Sequence, residues 1–321
     1  MSRPLDSPPG ATMNAGRAGS VRASIAWLAV ERIATTLVVF ASNVLVIRYL
    51  GAERFGHLAF FQVILALLAI VTDLGLRRIF LSLGRARALP LVIRATVRLK
   101  AALALLLSAG LAAAVLAGRL STEYLLLLAV VLAAPLDVHL YRFQACLRND
   151  LLARIRIGLA LLMALLRVGL CWTEQDLALI AATYVAPPVL LNLMVAALAR
   201  RLPAERSPHT GARLRTVEGH VLRRALWGFG AVLILQLGLR ADQLLLGHLA
   251  GAQALGWYAA AYKFVEQVTV LVTMVLGVLL PALSRRSEAD TRALLQSIYF
   301  ATLVASLAVA LVLGAGARLI V

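Results

Sequence analysis

The 321 residues carry a formal net charge of +17, yet only 15% are charged and 62% are hydrophobic, and the mean hydropathy is +0.89. An ordinary soluble domain is about 45–50% apolar, so composition excludes a soluble fold and, with it, a soluble basic module that binds nucleic acid. The positive charges fall in the gaps between long apolar runs, which is the pattern of an all-α, polytopic membrane protein.

In chain order, residues 1–22 form a polar leader rich in Pro and Gly. It has no small-residue cleavage site after an apolar run, so it is expected to be a disordered tail and not a secretory signal. Runs of about twenty apolar residues then follow at about 26–47, 55–76, 99–117, 123–141, 154–171, 176–198, 221–247, 256–280 and 295–315, predicting nine helices. Pro135 and Asp137 interrupt the fourth, and Pro187–Pro188 the sixth, which is tolerable where neighbouring helices shelter the freed carbonyls. Cys146 and Cys171 lie near opposite ends of a helical hairpin, too far apart to pair, and read as small packing residues.

Every second loop is basic. Arg77, Arg78, Arg85 and Arg87, with Lys100 closing the stretch, follow the second helix, and Arg142, Arg148, Arg154 and Arg156 follow the fourth. Another arginine-rich segment, 200–224, follows the sixth helix, and Arg285, Arg286 and Arg292 follow the eighth. The alternate loops carry only Arg48, Arg54 and Arg119, plus the terminal Arg318, so the positive-inside rule places the N-terminus in the cytoplasm. The outer loops are short, and an enzyme acting at the outer face would lack a platform there.

A repeat organises the chain. "RYLGAERFGHLAFFQ" at 48–62 returns two hundred residues later as "HLAGAQALGWYAAAY" at 248–262, matching Gly51 with Gly251, Ala52 with Ala252, Gly56 with Gly256 and Ala59 with Ala259. Trp27 and Trp227 keep the same offset. A period this long is too large for a solenoid unit and points to a duplicated half-molecule. In both copies the glycines predict a tight reversal between two spans.

No P-loop, zincin, C-x-x-C or nucleophile-elbow signature occurs, and the five histidines lack ligand spacing, so neither catalytic chemistry, a cofactor nor a metal site is expected. The "GFG" at 228–230 lacks a third glycine and reads as helix packing. What remains is intramembrane charge, which costs roughly 2.5–3.5 kcal/mol per residue at a lipid-facing helix centre. Glu31, Arg32, Asp73 and Arg167 lie near predicted helix ends, where snorkelling and an interior position are both open; Asp137 adds a charge to the fourth helix. Polar stripes run along three helices: Arg32, Thr36 and Asn43 on the first; Gln236, Arg240 and Gln243, beside Asp242, on the seventh; Tyr258, Tyr262, Glu266, Thr269 and Thr273, widened by Lys263 and Gln267, on the eighth. Interhelical hydrogen bonding and a water-filled cavity with cationic hooks both explain such stripes.

The stretch "NVLVIRYLGAERFGHLAFFQVILALLAIVTDLGL" (43–76) resembles the first hairpin of Wzx-type polysaccharide-export flippases, of the multidrug/oligosaccharidyl-lipid/polysaccharide superfamily. "LRADQLLLGHLAGAQALGWYAAAYKFVEQ" (239–267) resembles the first hairpin of their second lobe, with Asp242, Gly256, Tyr258 and Ala261 on its pattern, and "YRFQACLRNDLLARIRI" (141–157) resembles an inner-loop region. The resemblance implies a MATE-like fold of two six-helix lobes that alternate access to a midplane site. It implies an undecaprenyl-diphosphate-linked glycan as substrate, membrane lipids as surroundings, and glycan polymerases or glycosyltransferases as further partners, with no nucleic acid. Candidate cavity residues are Arg32, Asn43, Arg240, Gln243, Tyr258, Tyr262 and Lys263, where Arg suits a diphosphate because its fork binds two oxygens. Asp242 and Glu266 are candidates for ion coupling.

The expected organisation is a leader (1–22), an N-terminal lobe of six helices (23–200), a basic cytoplasmic linker (201–220) and a partial C-terminal lobe of three helices (221–321) in the cytoplasmic membrane. By the repeat period the second lobe is expected to be incomplete. Rival readings are another exporter of the superfamily, either a peptidoglycan-precursor flippase or a cation-coupled drug antiporter, and a non-catalytic membrane component of a glycan-assembly complex.

Overall fold

A computed structural model describes residues 10–76, 89–118, 121–145, 149–173, 176–200 and 211–266, with isolated positions between 296 and 307. The ninth helix, the basic segment 201–210 and most of the eighth helix beyond Glu266 lie outside the described residues. All regular structure among the described residues is helical. Helix α1 spans Gly10–Asp73, α2 Leu89–Leu116, α3 Leu126–Ala133, α4 Val138–Ala145, α5 Asn149–Trp172, α6 Leu177–Ala199 and α7 Gly211–Leu249; α8 covers 251–266.

Among the described residues, six segments are long and apolar enough to cross a membrane: Val30–Asp73, Ile93–Leu116, Thr122–Tyr141, Asp150–Trp172, Leu177–Ala199 and Phe229–Leu249. The first has 44 residues, which at 1.5 Å per residue is about twice a bilayer core of ~30 Å. It therefore accounts for two crossings, divided at Gly51, whose φ of 69° and ψ of 174° leave the helical region. A side chain at positive φ is strained, so glycine sets the break.

Both proline interruptions are absorbed within helical stacks. Around Pro135 the chain tightens into a 3-10 turn, Ala134–Asp137, and α3 and α4 flank it. Asn192 of α6 donates to the Ala133 carbonyl beside that turn at 3.3 Å. Pro187 and Pro188 lie inside α6, which continues through them.

Two helices begin earlier than the apolar runs alone suggest. Helix α1 begins at Gly10, so residues 10–22, expected to be disordered, are helical. Beyond Pro9 the stretch "GATMNAGRAGSVRAS" holds no proline, and its alanines and arginines are good helix formers. Residues 211–220 of the expected linker likewise form the start of α7.

The chain divides into two compact units, Met1–Trp257 and Tyr258–Val321. In the first, α1 packs most extensively on α5, α5 on α6, and α7 on both α2 and α1. Helix α7 follows the second arm of α1 from end to end. Gly75 meets Ala225 and Phe229 at one end, and Gly247 meets Phe60 at the other. Phe229, the centre of "GFG", packs on a buried cluster that includes Leu76, Val138, Phe143, Leu152 and Val195, so that motif serves packing.

Candidate functional site

The repeated corners meet each other. A Cβ built on Gly56 would lie 1.8 Å from the Ala252 carbonyl oxygen, and one built on Gly256 would lie 1.8 Å from the Ala52 oxygen. The contact is reciprocal, as a twofold-related pair requires. Gly51 and Gly251 both have positive φ, 69° and 84°, and a Cβ added at either would meet nothing within 4 Å. The first glycine of each corner therefore turns the chain, and the second lets the backbones touch.

A second constellation lies inside the bundle of α1, α5 and α6. Arg167, 3% exposed, donates through Nε to Thr183 Oγ1 at 3.0 Å, through Nη1 to Ser42 Oγ at 2.8 Å and through Nη2 to the Thr183 carbonyl at 3.4 Å. Both hydroxyls spend their own protons on carbonyls of their helices, Val39 and Ile180, and so are free to accept. The guanidinium lies 3.7 Å from the Tyr184 ring centroid, and Tyr184 donates to Asn43 Oδ1 at 2.6 Å. Snorkelling is ruled out for Arg167. The reason for its position is Pro187: lacking an N–H, Pro187 cannot bond the Thr183 carbonyl one helical turn earlier, and Arg167 supplies the missing donor.

At the arginine-rich end of the spans, four polar side chains from α1, α2, the 3-10 turn and α4 converge. Lys100, fully buried, lies 2.6 Å from Asp137 Oδ2, 3.0 Å from the Tyr141 hydroxyl and 3.8 Å from Asp73 Oδ1. The Tyr141 oxygen is 2.6 Å from Asp73 Oδ1 and 3.0 Å from Asp137 Oδ2. Lys100, counted by sequence among the loop cations, thus belongs to the interior. Apolar residues precede and follow it in α2, and two carboxylates from other elements draw it in. On the first arm of α1, Glu31 pairs with Arg156 at 3.4 Å, and Arg154 stacks over Trp27 at 5.1 Å.

The sequence-derived cavity residues divide. Asn43 is 3% exposed and accepts a hydrogen bond from Tyr184 inside the first bundle. Its stripe-mate Arg32 is exposed and makes no ion pair among the described residues. On α7, Arg240 and Asp242 are half-buried, Asp242 Oδ1 accepts from the Gln243 amide at 2.8 Å, and Gln243 is 3% exposed with its Nε2 unpartnered. In the second unit, Tyr258 and Tyr262 stack with centroids 6.1 Å apart, and Lys263 pairs with Glu266 at 3.4 Å. Thr269 and Thr273 lie outside the described residues. No group of three or more His, Cys, Asp or Glu that could hold a metal occurs among the described residues.

Sequence reasoning missed the roles of Lys100, Tyr141, Thr183 and Tyr184. Only Pro187 gave a signal, since a proline within a span implies a donor from elsewhere. In comparisons with known proteins, a family model described as "Polysaccharide biosynthesis protein" matches residues 21–287. No curated protein and no solved structure matches the chain.

Proposed function

The chain belongs to the polysaccharide biosynthesis protein family, and from that premise we propose that it flips an undecaprenyl-diphosphate-linked oligosaccharide from the inner to the outer leaflet of the cytoplasmic membrane. The family consists of transporter-like flippases and not of catalysts, and the apolar helices make the chain a multi-pass membrane protein. Alternating access around a midplane site is the mechanism that suits a bulky amphiphile, whose lipid tail stays in the bilayer while its headgroup crosses.

The observation that carries the proposal is Arg32: an exposed arginine at the start of the first span, without an ion-pair partner among the described residues. A cation at the membrane boundary that lacks an ion pair is available to a visiting anion. A diphosphate is such an anion, and the guanidinium fork can hold two of its oxygens. Arg240 and Lys263 are further candidate hooks for an anionic headgroup, and Asp242 and Glu266 carry any coupling to a counter-ion.

The test is genetic and chemical. Deletion of the gene should leave lipid-linked glycan accumulating in the inner leaflet, and Arg32→Gln should fail to restore export while expressing normally. Loss of cationic dye efflux without glycan accumulation would overturn the proposal in favour of a drug exporter.

A further inference from the structure

We infer that the Asp73–Lys100–Asp137–Tyr141 cluster is a proton-binding site, at which one transferable proton is held between two carboxyl groups bridged by the tyrosine hydroxyl. The Tyr141 oxygen lies within hydrogen-bond distance of Asp73 Oδ1, at 2.6 Å, and of Asp137 Oδ2, at 3.0 Å. A hydroxyl has one hydrogen and an ionised carboxylate has none, so one of these two contacts lacks a proton. Lys100 does not supply it, because its ammonium points its own hydrogens at Asp137 Oδ2 and at the lone pairs of the tyrosine. One added proton, on either carboxyl, completes the set.

Charge gives the same number. Asp73 and Asp137 contribute −1 each and Lys100 contributes +1, which leaves −1 in a group whose lysine is fully buried. The charged and titratable groups facing Asp137 are Lys100, Tyr141 and Asp73. Val195 and Ala199 of α6 and Ala225 of α7 belong to the same buried hydrophobic cluster as Tyr141. Asp137 Oδ1 is buried with no hydrogen-bond partner, so this carboxyl has an acceptor in reserve. A metal cation fits poorly, since the ammonium already sits at 2.6 Å from the carboxylate it would need. A proton needs no such space.

The geometry also provides a route. The Asp73 side chain is 37% exposed while that of Asp137 is 18% exposed, and Tyr141 joins them. A proton arriving at Asp73 passes to the tyrosine oxygen as the tyrosine gives its own to Asp137, with no net change on Tyr141. As a coupling site this rests on the transport reading above; as a proton site it does not.

The experiment uses the purified full chain in detergent micelles, with no substrate, followed by infrared difference spectroscopy of carboxyl protonation on acidification, with size-exclusion elution as the folding control. Wild type should show a protonated-carboxyl band that Asp137→Asn removes and Asp137→Glu retains at a shifted frequency. Lys100→Met, which leaves two uncompensated carboxylates, should increase the band. An identical titration in wild type and Asp137→Asn, or no change in Lys100→Met, overturns the inference; if Lys100→Met does not fold, the Asn/Glu pair at 137 decides. Reconstituted vesicles with and without a pH gradient then separate the two readings. A titrating site without glycan-lipid flipping leaves the proton site and overturns the transport proposal, whereas flipping with no titrating site overturns only the proton site.

Discussion

Arg167 is a charge that only its neighbours justify. Placing a guanidinium among α1, α5 and α6 costs several kcal/mol of desolvation, offset here by three hydrogen bonds and the face of Tyr184. Its pairing with the carbonyl freed by Pro187 yields a double-mutant cycle. Arg167→Met should lower stability by about 1–3 kcal/mol, the cost of leaving buried acceptors unpaired. Pro187→Ala restores a backbone donor for Thr183, so the double variant should lose less than the sum of the two single changes. Thermal unfolding in detergent measures all three, and strict additivity would show that Arg167 and Pro187 do not share the carbonyl. At this scale the sequence was only partly legible. It flagged Arg167, Asp73, Asp137 and Glu31 as charges needing partners, because intramembrane charge is rare. It did not reveal that the partners were Ser42, Thr183, Tyr141 and Arg156, since most of those pairings join residues 68 to 125 positions apart and depend on helix rotation.

Among the elements, spans were far more legible than their contents. The fourth span, expected at about 123–141, is Thr122–Tyr141, and the sixth, expected at about 176–198, is Leu177–Ala199, because the bilayer thickness fixes length independently of packing. The corners were legible as a repeat, and their mutual contact was not, because an echo in sequence does not say that its copies touch. Their glycines divide by role, and so should their variants. Gly51→Ala, at positive φ but in open space, should cost about 1 kcal/mol through backbone strain alone. Gly56→Ala and Gly256→Ala each force apart a backbone contact and should cost about 1–3 kcal/mol by overpacking. Once one has separated the corners, the other meets less resistance, so the double variant should fall short of the sum. Unfolding of the four variants decides it, and a mild, additive pair at 56 and 256 would mean that the corners do not press on each other.

For the whole molecule the decisive quantity is the direction of the charge asymmetry. If the arginine-rich ends of the spans face the cytoplasm, the corners at 51–56 and 251–256 face outward, and the Asp73–Lys100 cluster opens toward the cytoplasmic side. Expulsion of a diphosphate then runs with the membrane potential, which is negative inside and contributes roughly 2.3 kcal/mol per charge per 100 mV, or about 4–5 kcal/mol for two unneutralised charges. A transporter oriented this way can export its anionic headgroup without a nucleotide site, and the sequence holds no P-loop. The orientation can be read by thiol labelling in a chain whose Cys146 and Cys171 have been replaced by alanine. In intact cells a membrane-impermeant maleimide should label Glu53→Cys, at the exposed corner, and should reach Arg85→Cys only after permeabilisation. The opposite pattern would invert the topology, turn the potential into a barrier of the same size, and require the proton site to supply the driving force in its place.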